Sequence, residues 1–161
     1  MKIIRIGQIE TLKKYEVDIK KLAKYHIKKS KSRDTVGGII ETFIEGLNRP
    51  DKLNGIVMDN DKAIGFFISR LDTTFFANID SNEKQPVIFI EHLYAPTTGG
   101  KAYVGKIYKG IREKFRNEMG AKNLFIFTHR NPEAWIKFSK DNHGVEFEIY
   151  GHILVDRTKE D

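Results

Sequence analysis

One carboxylate lies inside the most apolar stretch of the sequence. Glu91 interrupts the run 87–94, whose other members are mostly aliphatic or aromatic. Such a run is typical of a strand that is buried on both faces. A glutamate in that setting has a raised pKa unless a cation pairs with it, and a raised pKa suits a general base. The alternative is a carboxylate at the rim of the sheet that forms a salt bridge with a lysine.

A loop of small residues follows this run and leads into a predicted helix. From Pro96 to Ala102 it reads Pro-Thr-Thr-Gly-Gly-Lys-Ala, and Lys101 and Lys106 add positive charge. Glycine lets the backbone approach a ligand closely, and free amides at a helix N-terminus bind phosphate oxygens. The loop is neither a Walker loop nor Gly-x-Gly-x-x-Gly. It predicts either a phosphate-binding cradle or an ordinary turn.

His92 and His129 fall near the ends of neighbouring predicted strands, where they could flank the same region. No third ligand has the spacing of a metal site, so we expect no metal there. A structural or exposed role is the simpler expectation for all five histidines. The chain has 0 Cys, which excludes a disulfide scaffold, a Cys-ligated zinc site and a cysteine nucleophile.

The hydrophobic pattern predicts the elements that must position these residues. A stripe with steps of three and four residues predicts a first helix at 12–28, and it consists of Leu12, Tyr15, Ile19, Leu22 and His26. A second helix is predicted at 35–47, with Ile39, Ile40, Phe43, Ile44 and Leu47 on its buried face. The other predicted elements are strands at 2–6, 54–59, 63–71, 87–94, 124–128 and 145–156, a helix ending at Gly120 and a short helix after Pro132.

This order predicts one α/β domain with a mixed sheet. Strands 87–94 and 124–128 are joined by a helix, so they should be parallel neighbours. The strands 54–59 and 63–71 should form an antiparallel hairpin around Asn60-Asp61. A length of 161 residues suits a single domain. We expect a cytoplasmic protein, because the sequence has no apolar run long enough for a membrane span and no signal-peptide pattern at its start.

Positive charge is concentrated in the first fifth of the chain. Residues 1–33 carry a net charge of +8, whereas the other 128 residues carry −2. Lys13, Lys20, Lys24 and Lys28 share one face of the first predicted helix. Residues 12–33 therefore either bind a polyanion, such as nucleic acid or an acidic protein, or form an ordinary solvated helix face.

Three segments within 54–151 together resemble the GNAT (Gcn5-related N-acetyltransferase) superfamily. Ile90–Pro96 is similar to the fourth strand of the family. Gly99–Val104 falls where the family has Arg/Gln-x-x-Gly-x-Gly/Ala, the loop that binds the acetyl-CoA pyrophosphate. Asn131–Phe138, followed by Gly144-Val145, resembles the Asn-x-x-Ala-x-x-x-Tyr…Gly-Phe motif.

The resemblance implies a single acyltransferase domain over 1–161, with a mixed, mainly antiparallel sheet, one parallel and splayed strand pair, and flanking helices. It implies transfer of an acyl group from acetyl-CoA, or another acyl-CoA, to a primary amine, with the acceptor chosen by the two N-terminal helices and the hairpin loops. Glu91 matches a catalytic base of the family. The implied cofactor-binding residues are Leu93, Tyr94, Ala95, Gly99, Gly100, Lys101, Ala102, Tyr103, Val104, Asn131 and Phe138.

The sequence departs from the family pattern at two places. The Arg/Gln of the pyrophosphate loop is absent, since Thr97 or Gly99 stands there, and the paired small residues are either Gly100 and Ala102 or Ala102 and Val104. Phe138 replaces the tyrosine that protonates the leaving thiolate, so water, Ser139, Tyr103 or Tyr150 must do so. The alternative function is a GNAT-like binding module with little or no turnover, whose basic helix holds nucleic acid or an acidic protein.

Overall fold

The computed structural model describes residues 1–30, 33–72, 87–94, 103–120, 123–126 and 137. The elements are β1 (Lys2–Arg5), α1 (Ile9–Ser30), α2 (Val36–Glu45), β2 (Gly55–Asp59), β3 (Lys62–Asp72), β4 (Val87–Tyr94), α3 (Tyr103–Met119) and β5 (Asn123–Ile126). Of the predicted short helix that Asn131-Pro132 opens, the structure describes Lys137 alone, which is helical and exposed. The predicted strand 145–156 lies outside the described residues. Among the helices described, none is both long enough and apolar enough to cross a membrane.

The described strands form one sheet in the order β1-β2-β3-β4-β5. The first three pairings are antiparallel. β5 runs parallel to β4, with Val87 opposite Asn123 and Ile90 opposite Ile126. The mixed, mainly antiparallel sheet is confirmed, and the predicted neighbours are parallel. The splay of this pair stays a prediction, because the residues after 126 that would test it are outside the described part of the chain.

The β2–β3 connection is the predicted tight turn. Asn60 and Asp61 both have positive φ angles, 46° and 59°. A two-residue turn with both φ angles positive matches the twist of a hairpin, and Asn and Asp adopt this conformation at low cost. The turn sets the pairing of Asp59 with Lys62 and of Met58 with Ala63, and an irregularity between Val57 and Met58 shifts the register beyond them.

α1 follows the predicted stripe and extends beyond it at both ends. Leu12, Ile19 and Leu22 are buried, and the structure adds Ala23, which the predicted stripe omitted. Glu10 in the first turn and Lys28 and Lys29 in the last turn complement the helix dipole. The four lysines Lys13, Lys20, Lys24 and Lys28 are exposed, as both interpretations of the basic segment require.

α2 begins later and ends earlier than predicted. The Gly38 N–H donates a 2.9 Å hydrogen bond to the Thr35 hydroxyl, which caps the helix and offsets two glycines in its first turn. Ile39, Ile40 and Phe43 are buried, but the prediction that Ile44 is buried was wrong, because its exposed fraction is 50%. The buried face of this ten-residue helix is one stripe, and Ile44 lies about 100° around the axis from Phe43.

The sheet separates two hydrophobic clusters. On one face Ile56, Phe66 and Ile68 pack with residues of α1 and α2. On the other face Val57, Phe67 and Ile88 pack with α3, which contributes Ile107, Ile111 and Phe115. Full burial of one such side chain contributes about 1.5–3 kcal/mol, so both layers are needed to hold the sheet. The domain is therefore a sheet with helices on both faces.

Gly65 marks the closest approach between β3, β4 and α3. A Cβ atom at this position would lie 2.4 Å from the backbone oxygen of Tyr94 and 3.3 Å from Cδ1 of Ile107. Only a residue without a side chain leaves this space free. The second turn of α3 is thereby placed against the carboxyl end of β4.

We predict that Gly65→Ala destabilises the protein by about 1–3 kcal/mol, because the new methyl group overlaps a backbone carbonyl that cannot move independently. Chemical denaturation followed by circular dichroism measures this. Gly37→Ala is the matched control, since its Cβ would meet only the Thr35 hydroxyl at 3.7 Å. That control should be neutral or slightly stabilising. Equal stability of both variants would contradict the close packing at Gly65.

Candidate active site

β4 contains a β-bulge at Glu91. Ser69 of β3 pairs with Ile90 and the next residue, Ile68, pairs with His92, so Glu91 has no partner across the ladder. An extra residue reverses the alternation of side chains beyond it. Ile90 accordingly belongs to the cluster under α3, whereas Tyr94 belongs to the cluster under α1 and α2. The bulge thus turns the side chains of His92 and Tyr94 towards the face covered by α1 and α2.

Glu91 is paired with Arg70 of β3. Its Oε1 lies 3.4 Å from the Arg70 Nε, and 30% of its side chain is exposed. The Arg70 guanidinium also lies over the ring of Phe89, 5.2 Å from the centroid. The salt-bridge alternative is thus the arrangement present, with an arginine in place of the expected lysine. The ion pair restricts the position of the carboxylate on β4.

Glu91 faces the same side of the sheet as α1 and α2. Arg70 is two residues from Ile68, which packs in the α1–α2 cluster, and residues two apart on a strand share a face. The bulge adds His92 to this face, because its ring lies 5.8 Å from the ring of His26 on α1. The candidate base therefore lies on the face covered by the two N-terminal helices.

A cluster of three ionisable side chains stands beside Glu91. His92 Nδ1 lies 3.8 Å from Asp34 Oδ2, and one ligand atom from each of His26, Asp34 and His92 lies within 4.8 Å of the others. Sequence spacing did not indicate that His26 or Asp34 lies near His92, and the structure brings both from distant segments. The sequence did place His26 at the end of the apolar stripe of α1, which predicts that this histidine faces the sheet.

Tyr94 is held in the core by its ring. It is 7% exposed, and its ring is stacked on Phe66 with 6.1 Å between centroids. Burial, with a smaller contribution from Tyr25, raises the pKa of the Tyr94 phenol. The Tyr94 side chain is thus packed against other residues on the α1–α2 face. Any contact of Tyr94 with a cofactor has to use its backbone.

α3 begins at Tyr103, close to the carboxyl end of β4. Ile107, one turn into the helix, approaches the position of Gly65 and the Tyr94 carbonyl. The first turn has no acidic residue that would repel an anion. The predicted phosphate loop connects these two ends in sequence. The geometry suits a negatively charged ligand at the start of α3.

The sequence-predicted cofactor residues fall into two groups. Leu93 packs partly buried on the α3 side, Tyr94 ends β4, and Tyr103 and Val104 are the first two residues of α3. The others lie outside the described residues, and they are Ala95, Gly99, Gly100, Lys101, Ala102, Asn131 and Phe138. The same holds for His129. The register of the loop therefore stays open.

The chain is similar in structure to solved N-acetyltransferases. One is the aminoglycoside N-acetyltransferase AAC(6')-Iy in complex with CoA, with a TM-score of 0.66 and 16% identity over 92% of this chain and 90% of that chain. The same protein in complex with the bisubstrate analogue CoA-S-monomethyl-acetylneamine gives a TM-score of 0.64 and 17% identity over 92% and 93%. The aminoglycoside 6'-N-acetyltransferase AAC(6')-IG from Acinetobacter haemolyticus gives 0.60 and 13% over 93% and 94%.

No family model matches the sequence, and no curated protein sequence matches it either. Sequence identities of 13–17% establish the fold alone. The chain has the GNAT fold, and the resemblance seen in the sequence is confirmed at that level.

We predict that the buried Tyr94 makes stability fall at alkaline pH. A folded-state pKa raised above the unfolded value of about 10 gives stability that is fully present below pH 10 and is lost as the pH rises through the folded pKa. Tyr94→Phe should therefore flatten the decline in free energy of unfolding that begins as the pH rises above about 10. Urea denaturation at a series of pH values measures it.

Tyr25→Phe provides the control, because Tyr25 is 49% exposed. This variant should keep most of the wild-type decline, since burial is the main cause of the Tyr94 shift. An alkaline decline in Tyr94→Phe as steep as in the wild type would exclude this explanation.

Proposed function

We propose that this chain is a single acyltransferase domain, 1–161, that transfers an acyl group from acetyl-CoA, or another acyl-CoA, to a primary amine. The observation that carries the proposal is the place of Glu91. It stands at a bulge of β4, the strand with the parallel neighbour, and faces the side covered by the N-terminal helices. The GNAT fold supports it, and so do the ligands of its structural neighbours.

The neighbours supply the chemistry of the two substrates. AAC(6')-Iy is solved with CoA and with the bisubstrate analogue CoA-S-monomethyl-acetylneamine. These ligands support a CoA thioester and an amine acceptor for this chain as well. The comparison does not identify the acceptor. In the family the two N-terminal helices and the hairpin loops choose it, and these segments of the sequence match the family least.

Glu91 acts as the general base in this proposal. An ammonium has no free electron pair, so its proton must be taken before or during attack. The amine nitrogen attacks the thioester carbonyl, the C–N bond forms, and the C–S bond breaks with release of the CoA thiolate. Glu91 accepts the amine proton directly or through one water, and Arg70 holds the carboxylate in position.

The carboxyl end of β4 holds the thioester. Backbone N–H groups near Tyr94 and Ala95 donate to the carbonyl oxygen as it becomes negative, as oxyanion donors do. In this proposal Asn131 contacts the pantetheine arm or the pyrophosphate loop, and Leu93 and Phe138 are further cofactor-binding residues. The amides of Gly99–Val104, with Lys101, bind the pyrophosphate at the positive end of α3.

The leaving thiolate is protonated without the usual tyrosine. Water, Ser139, Tyr103 or Tyr150 supplies the proton, because Phe138 has none to give. A thiol pKa near 8.5 makes CoA a tolerable leaving group even without an acid. Phenylalanine at position 138 should therefore slow the reaction without abolishing it.

We predict that Glu91→Gln lowers kcat by about 10²–10⁴-fold, because the amide keeps the shape of the side chain but accepts no proton. Affinity for acetyl-CoA should not change. The measurement is release of the CoA thiol in the presence of an amine that the wild-type protein acetylates. Since the chain has 0 Cys, a thiol reagent detects CoA alone.

Glu41→Gln is the control, because Glu41 is an exposed glutamate on α2. It should keep the wild-type kcat and pH–rate profile. A Glu91→Gln enzyme with an unchanged pH–rate profile would remove Glu91 from the mechanism.

We predict that Gly100→Asp weakens acetyl-CoA binding strongly, because it adds a carboxylate where the pyrophosphate is expected. Gly120→Asp is the matched control. It adds the same charge just after the other end of α3, at a position with φ +63° and no atom within 4 Å of its Cβ, and Asp tolerates this backbone conformation. Thermal-shift titration with acetyl-CoA compares the two variants. If both bind like the wild type, the loop is only a turn.

A further inference from the structure

We propose that His26, Asp34 and His92 form a binding site for a divalent transition metal, with Zn²⁺ as the ion that fits best. The three side chains come from α1, from the residue before the α2 cap, and from β4. One ligand atom of each lies within 4.8 Å of the other two. The proposal concerns metal binding alone and stands whether or not the protein transfers acyl groups.

The fold brings the two imidazoles together by two separate devices. His26 ends the apolar stripe of α1, so helical periodicity turns it towards the sheet. His92 reaches the same place only because the bulge at Glu91 reverses the alternation of β4. Without that extra residue, His92 would point to the α3 side with Ile90. The meeting of the two rings, 5.8 Å apart between centroids, thus depends on a feature of the backbone.

Both rings are partly fixed before any ion binds. The His26 ring packs edge-on against Phe66 and Tyr94, at 5.5 Å and 5.9 Å between centroids. His92 Nδ1 stands 3.8 Å from the Asp34 carboxylate. A metal ligand whose ring orientation is already restricted loses less conformational freedom when it binds. The arrangement is thus preorganised for two nitrogen ligands and one oxygen ligand.

The ligand chemistry selects the class of ion. Imidazole nitrogen and carboxylate oxygen suit Zn²⁺ and its neighbours in the transition series, whereas Ca²⁺ and Mg²⁺ prefer oxygen alone. Zn²⁺ binds these atoms at about 2.0–2.2 Å in a tetrahedron, which places ligand atoms about 3.3–3.6 Å apart. The separations present are longer, 3.8 Å between His92 Nδ1 and Asp34 Oδ2 and up to 4.8 Å among the three atoms, so side-chain rotation must accompany binding. The Asp34 side chain is 38% exposed.

Three protein ligands leave the fourth tetrahedral position open to water or another molecule. His92 follows Glu91 directly in β4, and both residues lie on the face covered by α1 and α2. A bound ion would therefore lie on the same face of the sheet as the candidate base.

The test uses the full chain without a histidine tag, stripped of metal by a chelator and titrated with ZnCl₂ in a calorimeter. We expect one Zn²⁺ per chain with micromolar or tighter affinity. His92→Gln and Asp34→Asn should each weaken that binding by at least about tenfold, because each removes one ligand. Replacement of Zn²⁺ by Co²⁺ should give the intense visible absorption of a four-coordinate site, and both variants should lose it.

Two controls keep the test decisive. Asp59→Asn removes a carboxylate of β2 that pairs with the N-terminal amine of Met1, and this variant should bind Zn²⁺ like the wild type. Circular dichroism without metal checks that His92→Gln and Asp34→Asn are folded, and both change partly exposed side chains. Failure of the wild-type protein to bind Zn²⁺ would overturn the proposal. Equal binding by the wild type and both variants would overturn it too, since the ion would then sit at other histidines.

Discussion

The candidate site depends on one extra residue in β4. Because Glu91 has no partner across the β3–β4 ladder, Ile90 before it packs under α3 and Tyr94 after it packs under α1. The same irregularity places His92 beside His26, on the face where Glu91 pairs with Arg70. A regular strand would send His92 to the opposite face, and the ionisable groups on the α1–α2 side would be separated.

The two hydrophobic layers hold this irregularity in place. β4 is buried before the bulge through Ile88, Phe89 and Ile90, and after it through Tyr94, so the bulge cannot slide along the strand without exposing large side chains. Gly65 lets Ile107 of α3 approach the end of β4 on the other face of the sheet. β3, β4 and α3 thus pack directly on one another at the carboxyl end of β4.

The sequence predicts the periodic features of this fold and misses the bulge in β4. The stripe of α1 and the βαβ order are local patterns, and both the helix and the parallel neighbours are present. The bulge is different, because an apolar run buried on both faces has no alternation whose break would reveal an extra residue. The contact between Asp34 and His92 depends on this bulge and on the packing of two distant segments, so no local sequence pattern predicts it. The arginine partner of Glu91 depends on β3–β4 register, which sequence pattern alone does not specify.

The central claim, that this site serves acyl transfer from a CoA thioester, is tested most directly by calorimetric titration of the wild-type protein with acetyl-CoA. The account predicts saturable binding of one acetyl-CoA per chain, with free CoA competing for the same site. Absence of any binding up to millimolar acetyl-CoA, with protein shown to be folded, would contradict it. The GNAT fold would then serve another purpose in this chain.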